Sequence, residues 1–214
     1  MTLRPAIEHP EMLPLAEGLA SERVVLRRYR FGDGAALFAA LAPHREELME
    51  WMEWPRRHQR VEDSESYARR MHAEFMLRRS MPMAILDATS GAYLGGAGFH
   101  TPDWDTPKAE IGYFLVPPAR GSGVATDVVR LQVHYAFDQM RMNRVWGSCD
   151  AGNDASAAVM RRAGLREEGV LRAEARDHHG QVCDTRVFAL TIDDYPGWTA
   201  TAGVNDFRYL SATE

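Results

Sequence analysis

Apolar and polar positions alternate along the chain in patterns that divide it into units. Arg23 to Tyr29 is β-rich and predicts a strand after a loose lead containing three prolines. Asp33, after Gly32, is placed to cap a helix over Gly34 to Leu41, and a second helical stretch runs from Arg45 to Trp54. Asp63 or Ser64 caps a longer helix reaching Arg79, with Tyr67, Met71 and Phe75 at i, i+4 and i+8 on its apolar side. Three strands then follow, over Met81 to Asp87, Ala92 to Thr101 and Ala109 to Val116, separated by Gly91 and by the loop from Pro102 to Pro107. A strand, several helices and an antiparallel meander are not a regular βαβ alternation.

The second half opens differently. Gly121-Ser122-Gly123 leads into a helix through Met140 with apolar residues on two sides, Val128, Leu131 and Tyr135 on one and Val129, Val133 and Phe137 on another, which predicts a helix sandwiched in the interior. Asn143 to Cys149 reads as a buried strand. Asn153 caps a helix that Gly164 ends, with Arg161 and Arg162 in its last turn, where the dipole favours cations. Leu165 to Ala175 and Val182 to Thr191 predict a closing hairpin that turns near Asp177-His178-His179-Gly180, and the tail from Pro196 is expected to be loosely attached.

Composition narrows the class. The 214 residues are 45% hydrophobic and 26% charged, an ordinary globular balance that excludes collagen-like and disordered chains. No run approaches the roughly 20 apolar residues of a membrane span, and the first residues lack the basic start and apolar core of a signal peptide. Two cysteines, Cys149 and Cys183, make neither a disulfide framework nor a zinc site, so a reducing, cytoplasmic setting is expected. Eight scattered histidines form no helical ligand pair, so no metal is expected. The net charge of -5, with the longest basic stretch only Trp54 to Arg60, gives no stripe for nucleic acid.

The chemistry concentrates in the stretch from Glu110 to Thr126. A strand runs into a glycine-containing loop that feeds a helix, so the N–H groups of the loop and first helical turn converge on an anion site. A nucleotide P-loop needs Lys-Ser/Thr after its last glycine, and here Val124-Ala125 follows Gly123. A dinucleotide fingerprint needs a small residue where Thr126 stands. An ordinary strand-to-helix turn remains the alternative for this loop taken alone.

The loop has company. Arg120-x-x-Gly123-x-Ala125 resembles the acyl-CoA pyrophosphate loop of the GCN5-related N-acetyltransferases (GNAT). The chain is most similar to the branch that acetylates ribosomal-protein N-termini, the RimJ/RimL-like enzymes. Four segments agree in order: Arg23-Val24-Val25-Leu26-Arg27 with Asp33; Ile111-Gly112-Tyr113; Arg120 to Thr126; and Asn153-Asp154-Ala155-Ser156, continuing to Arg162-Ala163-Gly164-Leu165 and Glu168 to Arg172. Asp127 departs from the family's usual Glu.

The resemblance implies an α+β fold in three layers. A mixed, mostly antiparallel sheet of six to seven strands carries helices on both faces and splays into a V between its central strands. One domain would occupy residues 21–195, between a lead (1–20) and a tail (196–214). Acetyl-CoA would be the cosubstrate, with its pantetheine arm in the splay against backbone near Leu115 and Val116 and its pyrophosphate on the amides of Arg120, Gly121, Ser122, Gly123, Val124, Ala125 and Thr126. Arg120 is either a phosphate contact or a solvated loop charge. Ser156 would protonate the departing thiolate, and Asn153 would cap its helix and touch the pantetheine; capping alone is the alternative for both. The reaction would be direct attack by an amine, with neither cysteine as nucleophile. Glu110 is the candidate base, unless the strand turns it to solvent. Trp51, Trp54, Glu50, Glu53 and Tyr113 would form the acceptor side, with packing alone the alternative for the tryptophans. Asp103, Trp104 and Asp105 would approach it from another side. The acceptor would be a protein N-terminus or a small amine such as a polyamine, amino sugar or amino acid. An α-amine is roughly 10–15% neutral at pH 7 and a lysine below about 0.1%, which favours a protein N-terminus or another weakly basic amine over lysine where no strong base is visible. A non-catalytic acyl-CoA sensor is the alternative to an enzyme. The family often forms dimers, so a homodimer is expected.

Overall fold

The computed structural model describes residues 3–177, 179–201 and 206–211. Nine strands form one open sheet: β1 (Gly18–Ser21), β2 (Val24–Arg28), β3 (Met81–Asp87), β4 (Tyr93–Asp103), β5 (Lys108–Leu115), β6 (Arg144–Asp150), β7 (Arg166–Arg176), β8 (Val182–Thr191) and β9 (Phe207–Leu210), in the spatial order β7-β8-β6-β5-β4-β3-β2-β1-β9. Every pairing is antiparallel except that of β5 with β6. The helices are α1 (Asp33–Leu41), α2 (Arg45–Met49), α3 (Val61–Met76), α4 (Val124–His134), α5 (Asp154–Arg162) and α6 (Tyr195–Thr201).

The sheet has two strands more than the upper count of seven expected. Both added strands lie at one edge: β1 in the lead pairs with β9 in the tail, Gly18 opposite Leu210. Each is four residues long, too short for a periodic signal, and their partnership spans almost the whole chain. The tail is thus tied down: Leu210 is buried, as is Trp198 of α6, whose indole N–H donates to the Ala163 carbonyl at 2.7 Å. The lead is held as well. Arg4 N donates to Asn143 Oδ1 at 2.8 Å, and Asn143 Nδ2 returns a bond to Arg4 O at 2.9 Å.

Two helices are shorter than the apolar pattern predicts. The stretch from Arg45 breaks after Met49, and a 3-10 turn over Trp54–Arg57 begins beside Pro55, which has no N–H to continue a helix. The long sandwiched helix is α-helical to His134 and continues as a π-turn over Tyr135–Gln139; its Val128, Val129, Leu131 and Val133 are all fully buried. Gln132 in the same helix donates its Nε2 to Gly98 O at 2.8 Å and Gly112 O at 3.2 Å, pinning it across β4 and β5.

Side chains of β5 alternate between two helix layers. A Cβ at Gly147 would meet both Ile111 of β5 and Met160 of α5, so α5 covers the Ile111 face. Phe114, of opposite parity, packs on Trp54 at 4.8 Å between ring centres, and Trp54 stacks on Tyr67 of α3. Among the described residues no helix is long and apolar enough to cross a membrane.

Candidate active site

Strands β5 and β6 pair only over Lys108↔Arg144, Ala109↔Val145 and Glu110↔Trp146, although both continue for several residues. The expected V-shaped gap therefore opens just beyond Glu110. Leu115 ends β5 beside it. Val116 N–H is committed to Leu94 O at 2.9 Å on the β4 side, whereas Leu115 O accepts from Arg120 Nε at 3.2 Å.

The glycine loop follows at the open end. Gly121 and Gly123 take φ of 78° and 87°, left-handed values that glycine adopts without a Cβ penalty. Gly123 caps α4. None of the six successive backbone N–H groups from Gly121 to Thr126 has a hydrogen-bond partner among the described residues. A Cβ at Gly121 would meet nothing within 4 Å, so this face is open. Six unspent donors at a helix N-terminus can hold a doubly charged diphosphate.

A strap from outside the loop holds its shape. Arg23 donates Nε to Asp127 Oδ2 at 2.8 Å and Nη1 to Ser122 O at 2.9 Å, and its guanidinium lies 3.3 Å from where a Cβ at Gly123 would be. The Asp in place of the family's Glu is the mostly buried anchor of this pair. Arg120 is held by the protein: Nη1 bonds Glu47 of α2 at 2.6 Å.

Across the gap, Asn153 Oδ1 accepts from Ser156 N at 2.9 Å and caps α5. Ser156 Oγ lies 3.2 Å from Tyr113 Oη. Burial raises the Tyr113 phenol further above its ordinary value, so it is a neutral hydroxyl at physiological pH. Burial likewise pushes the Cys149 thiol up, with the neighbouring Ser156 hydroxyl working the other way. A raised thiol is a poor nucleophile.

Tyr113, expected on the acceptor side, thus stands with Ser156 on the α5 face. Trp54 is on the other face, where Phe114, Tyr67 and His58 complete an aromatic group. His58 is nearly inaccessible, its Nδ1 2.9 Å from Ser64 Oγ, and burial lowers its pKa. Trp51, Glu50 and Glu53 are exposed beside this group. Asp103, Trp104 and Asp105 lie at the β4–β5 turn, the closed end of the splay; Trp104 Nε1 donates to Arg78 O at 3.1 Å and Asp103 pairs with Lys108, so they are structural here.

Glu110 is half-buried at the mouth of the V, and Ser148 Oγ of β6 donates to its Oε1 at 3.2 Å. None of His58, Phe114, Tyr67, Arg23 and Ser148 was expected at the site from sequence. Arg23 carried a signal as the head of the first matching segment, and Tyr67 stood on the apolar side of its helix. Among the described residues no three His, Cys, Asp or Glu are grouped as metal ligands; His178 lies outside them.

Comparison with known proteins extends the geometry. Residues 23–166 match the family described as Acetyltransferase (GNAT) domain. The chain is 26% identical over 179 residues to the uncharacterized N-acetyltransferase YoaA of Bacillus subtilis, covering 84% of this chain and 97% of that protein. Its fold is similar to that of the microcin C7 self-immunity acetyltransferase MccE, solved with acetyl-CoA and AMP (TM-score 0.74, 22% identity, 80% of this chain and 93% of that one). It is also similar to RimL, a ribosomal L7/L12 alpha-N-protein acetyltransferase solved with coenzyme A (TM-score 0.72, 22% identity, 81% and 96%).

Proposed function

The chain belongs to the GNAT acetyltransferase family, and on that premise we propose that it moves acetyl from acetyl-CoA to the α-amine of a protein N-terminus by direct attack. The observation that carries this reading is the row of unspent N–H groups from Gly121 to Thr126, set beside strands that part after Glu110. The loop takes the diphosphate, and the pantetheine arm lies along the unpaired edge of β5 near Leu115, as an added strand would. The thioester then sits between two sets of groups on opposite faces of the sheet.

On the α5 face, Ser156 gives its proton to the departing thiolate, and Tyr113 Oη re-protonates Ser156 and recovers a proton from water. On the other face, Glu110 attracts the cationic amine and receives its proton, directly or through water. Trp54 and Phe114 form the wall along which the acceptor's first side chain lies. An α-amine suits this site because it loses its proton at about pH 7.7–8.0, so a weak base suffices. RimL, which shares the fold, is an alpha-N-protein acetyltransferase, and this supports the same acceptor class here. The two unpaired cysteines fit a reducing, cytoplasmic setting. A homodimer is part of this reading, checked by sedimentation.

The test is calorimetry with acetyl-CoA followed by an acceptor screen read as free-thiol release. N-terminal peptides are expected to turn over faster than lysine side chains, polyamines or amino sugars. Binding of acetyl-CoA without turnover on any amine would leave the sensor reading; no binding would remove both.

A further inference from the structure

The acceptor face holds one more titratable group, His100 of β4, and resting on the reading above we infer that His100 is the terminal proton acceptor for the attacking amine. His100 is the cross-strand partner of Glu110, so their side chains leave the same face of the sheet. The imidazole lies over Gly112, two residues further into the splay. A Cβ at 112 would collide with its Nε2 and stand 3.0 Å from its Cδ2. Only glycine there lets the ring rest on β5.

Three polar groups therefore form a row across three strands where β5 and β6 part: His100 on β4, Glu110 on β5 and Ser148 on β6. Ser148 donates to Glu110 Oε1, which draws the carboxylate toward β6. The imidazole is exposed, and neither ring nitrogen has a hydrogen-bond partner among the described residues. Glu110 faces it from β5. The Lys108–Asp103 pair sits farther off at the hairpin turn and is internally neutralised. Nothing in the row ties up the imidazole, and its exposed position lets it exchange protons with solvent.

Engagement decides between the two candidate terminal acceptors: Ser148 donates to Glu110 Oε1, whereas neither ring nitrogen of His100 is bonded among the described residues. The step balances: as nitrogen attacks the acetyl carbonyl, its N–H proton passes to Glu110, directly or through water, and on to neutral His100 Nε2. The imidazole becomes imidazolium beside the anionic Glu110 and then releases the proton to bulk. The thiolate leaves separately with the proton from Ser156.

The experiment compares wild type with His100→Gln, His100→Ala and Gly112→Ala, using acetyl-CoA and an N-terminal peptide found in the screen. His100→Gln is expected to lower kcat/KM at least tenfold, keep its acetyl-CoA Kd and lose one limb of the pH profile. Added imidazole is expected to restore part of the activity of His100→Ala. Gly112→Ala, which displaces the ring, should reproduce the loss, and combining it with His100→Ala should add little. An unchanged kcat/KM and pH profile in His100→Gln would overturn the inference while leaving the acetyltransferase reading intact. Lost activity without imidazole rescue, together with weakened acetyl-CoA binding, would overturn it too by making His100 structural. A wild type inactive on every amine would instead remove the reading on which the inference rests.

Discussion

Tyr113 Oη of β5 and Ser156 Oγ of α5 meet at 3.2 Å beside the splay. One hydroxyl comes from the end of β5 that β4 pairs and β6 does not, and the other from the first turn of a helix that Asn153 caps. The pair makes a proton path whose donor end is set by the helix. Ser156→Ala is expected to lower kcat about 100-fold with little change in the KM for acetyl-CoA, the size of effect usual for a lost general acid. Tyr113→Phe removes only the second hydroxyl and is expected to cost up to about tenfold in kcat. Steady-state kinetics on both variants would check this, and full activity in Ser156→Ala would remove it from the reaction.

The glycine loop gives a binding prediction. Gly123→Ala forces a Cβ into a left-handed residue and against the Arg23 guanidinium. It is expected to destabilise the fold by about 1–2 kcal/mol and to weaken acetyl-CoA binding more than it lowers kcat. Asp127→Asn loosens the same loop through Arg23 and is expected to raise the acetyl-CoA Kd a few-fold, by about 1 kcal/mol or less, since the guanidinium is half exposed. Calorimetry and thermal denaturation separate the two effects.

Trp54 connects acceptor and core. It touches Phe114 of β5, Tyr67 of α3 and His58. Trp54→Ala is expected to cost about 2–3 kcal/mol of stability, because it opens a partly solvated gap, and to raise the acceptor KM at unchanged acetyl-CoA Kd. Trp51→Ala, at a position about half exposed, is expected to change stability by less than about 0.5 kcal/mol.

His58 predicts a pH dependence. Burial lowers its pKa from the ordinary value of 6.5, so the folded state binds this proton less readily than the unfolded chain. The stability it contributes is present above pH 6.5 and is lost as pH falls through the lowered folded value. Melting temperature is therefore expected to decline on acidification below about pH 6.5, and His58→Gln is expected to flatten that part of the curve. A wild-type curve with no slope there would show that the ring is not held neutral.

The thiols give a negative control. Burial raises Cys149, and Cys183 is raised chiefly by its hydrogen bond with Asp150. Both are expected to react slowly with iodoacetamide at pH 7, and no acetyl-thioester is expected on either by intact-mass measurement after acetyl-CoA alone.

Much of this molecule is written locally. The order of strands and helices from Val24 to Thr191, the αL glycines before α4, and the Asn153 cap all follow from signals confined to a few residues: periodicity, a missing Cβ, a side-chain oxygen three residues before an N–H. The loop and the Asn153 cap were legible for that reason, whereas a role for Ser156 came only with the family resemblance. What the chain could not announce is which distant groups share a face. That Tyr113 stands with Ser156 while Phe114 stands with Trp54 depends on the pleat of β5 once its register with β4 is fixed. That β5 and β6 part after Glu110, that Arg23 grips Asp127, and that β1 finds β9 depend on pairings between segments far apart in sequence. Such pairings are selected by burial of the whole sheet between its two helix layers, and no short stretch of sequence carries that free energy by itself.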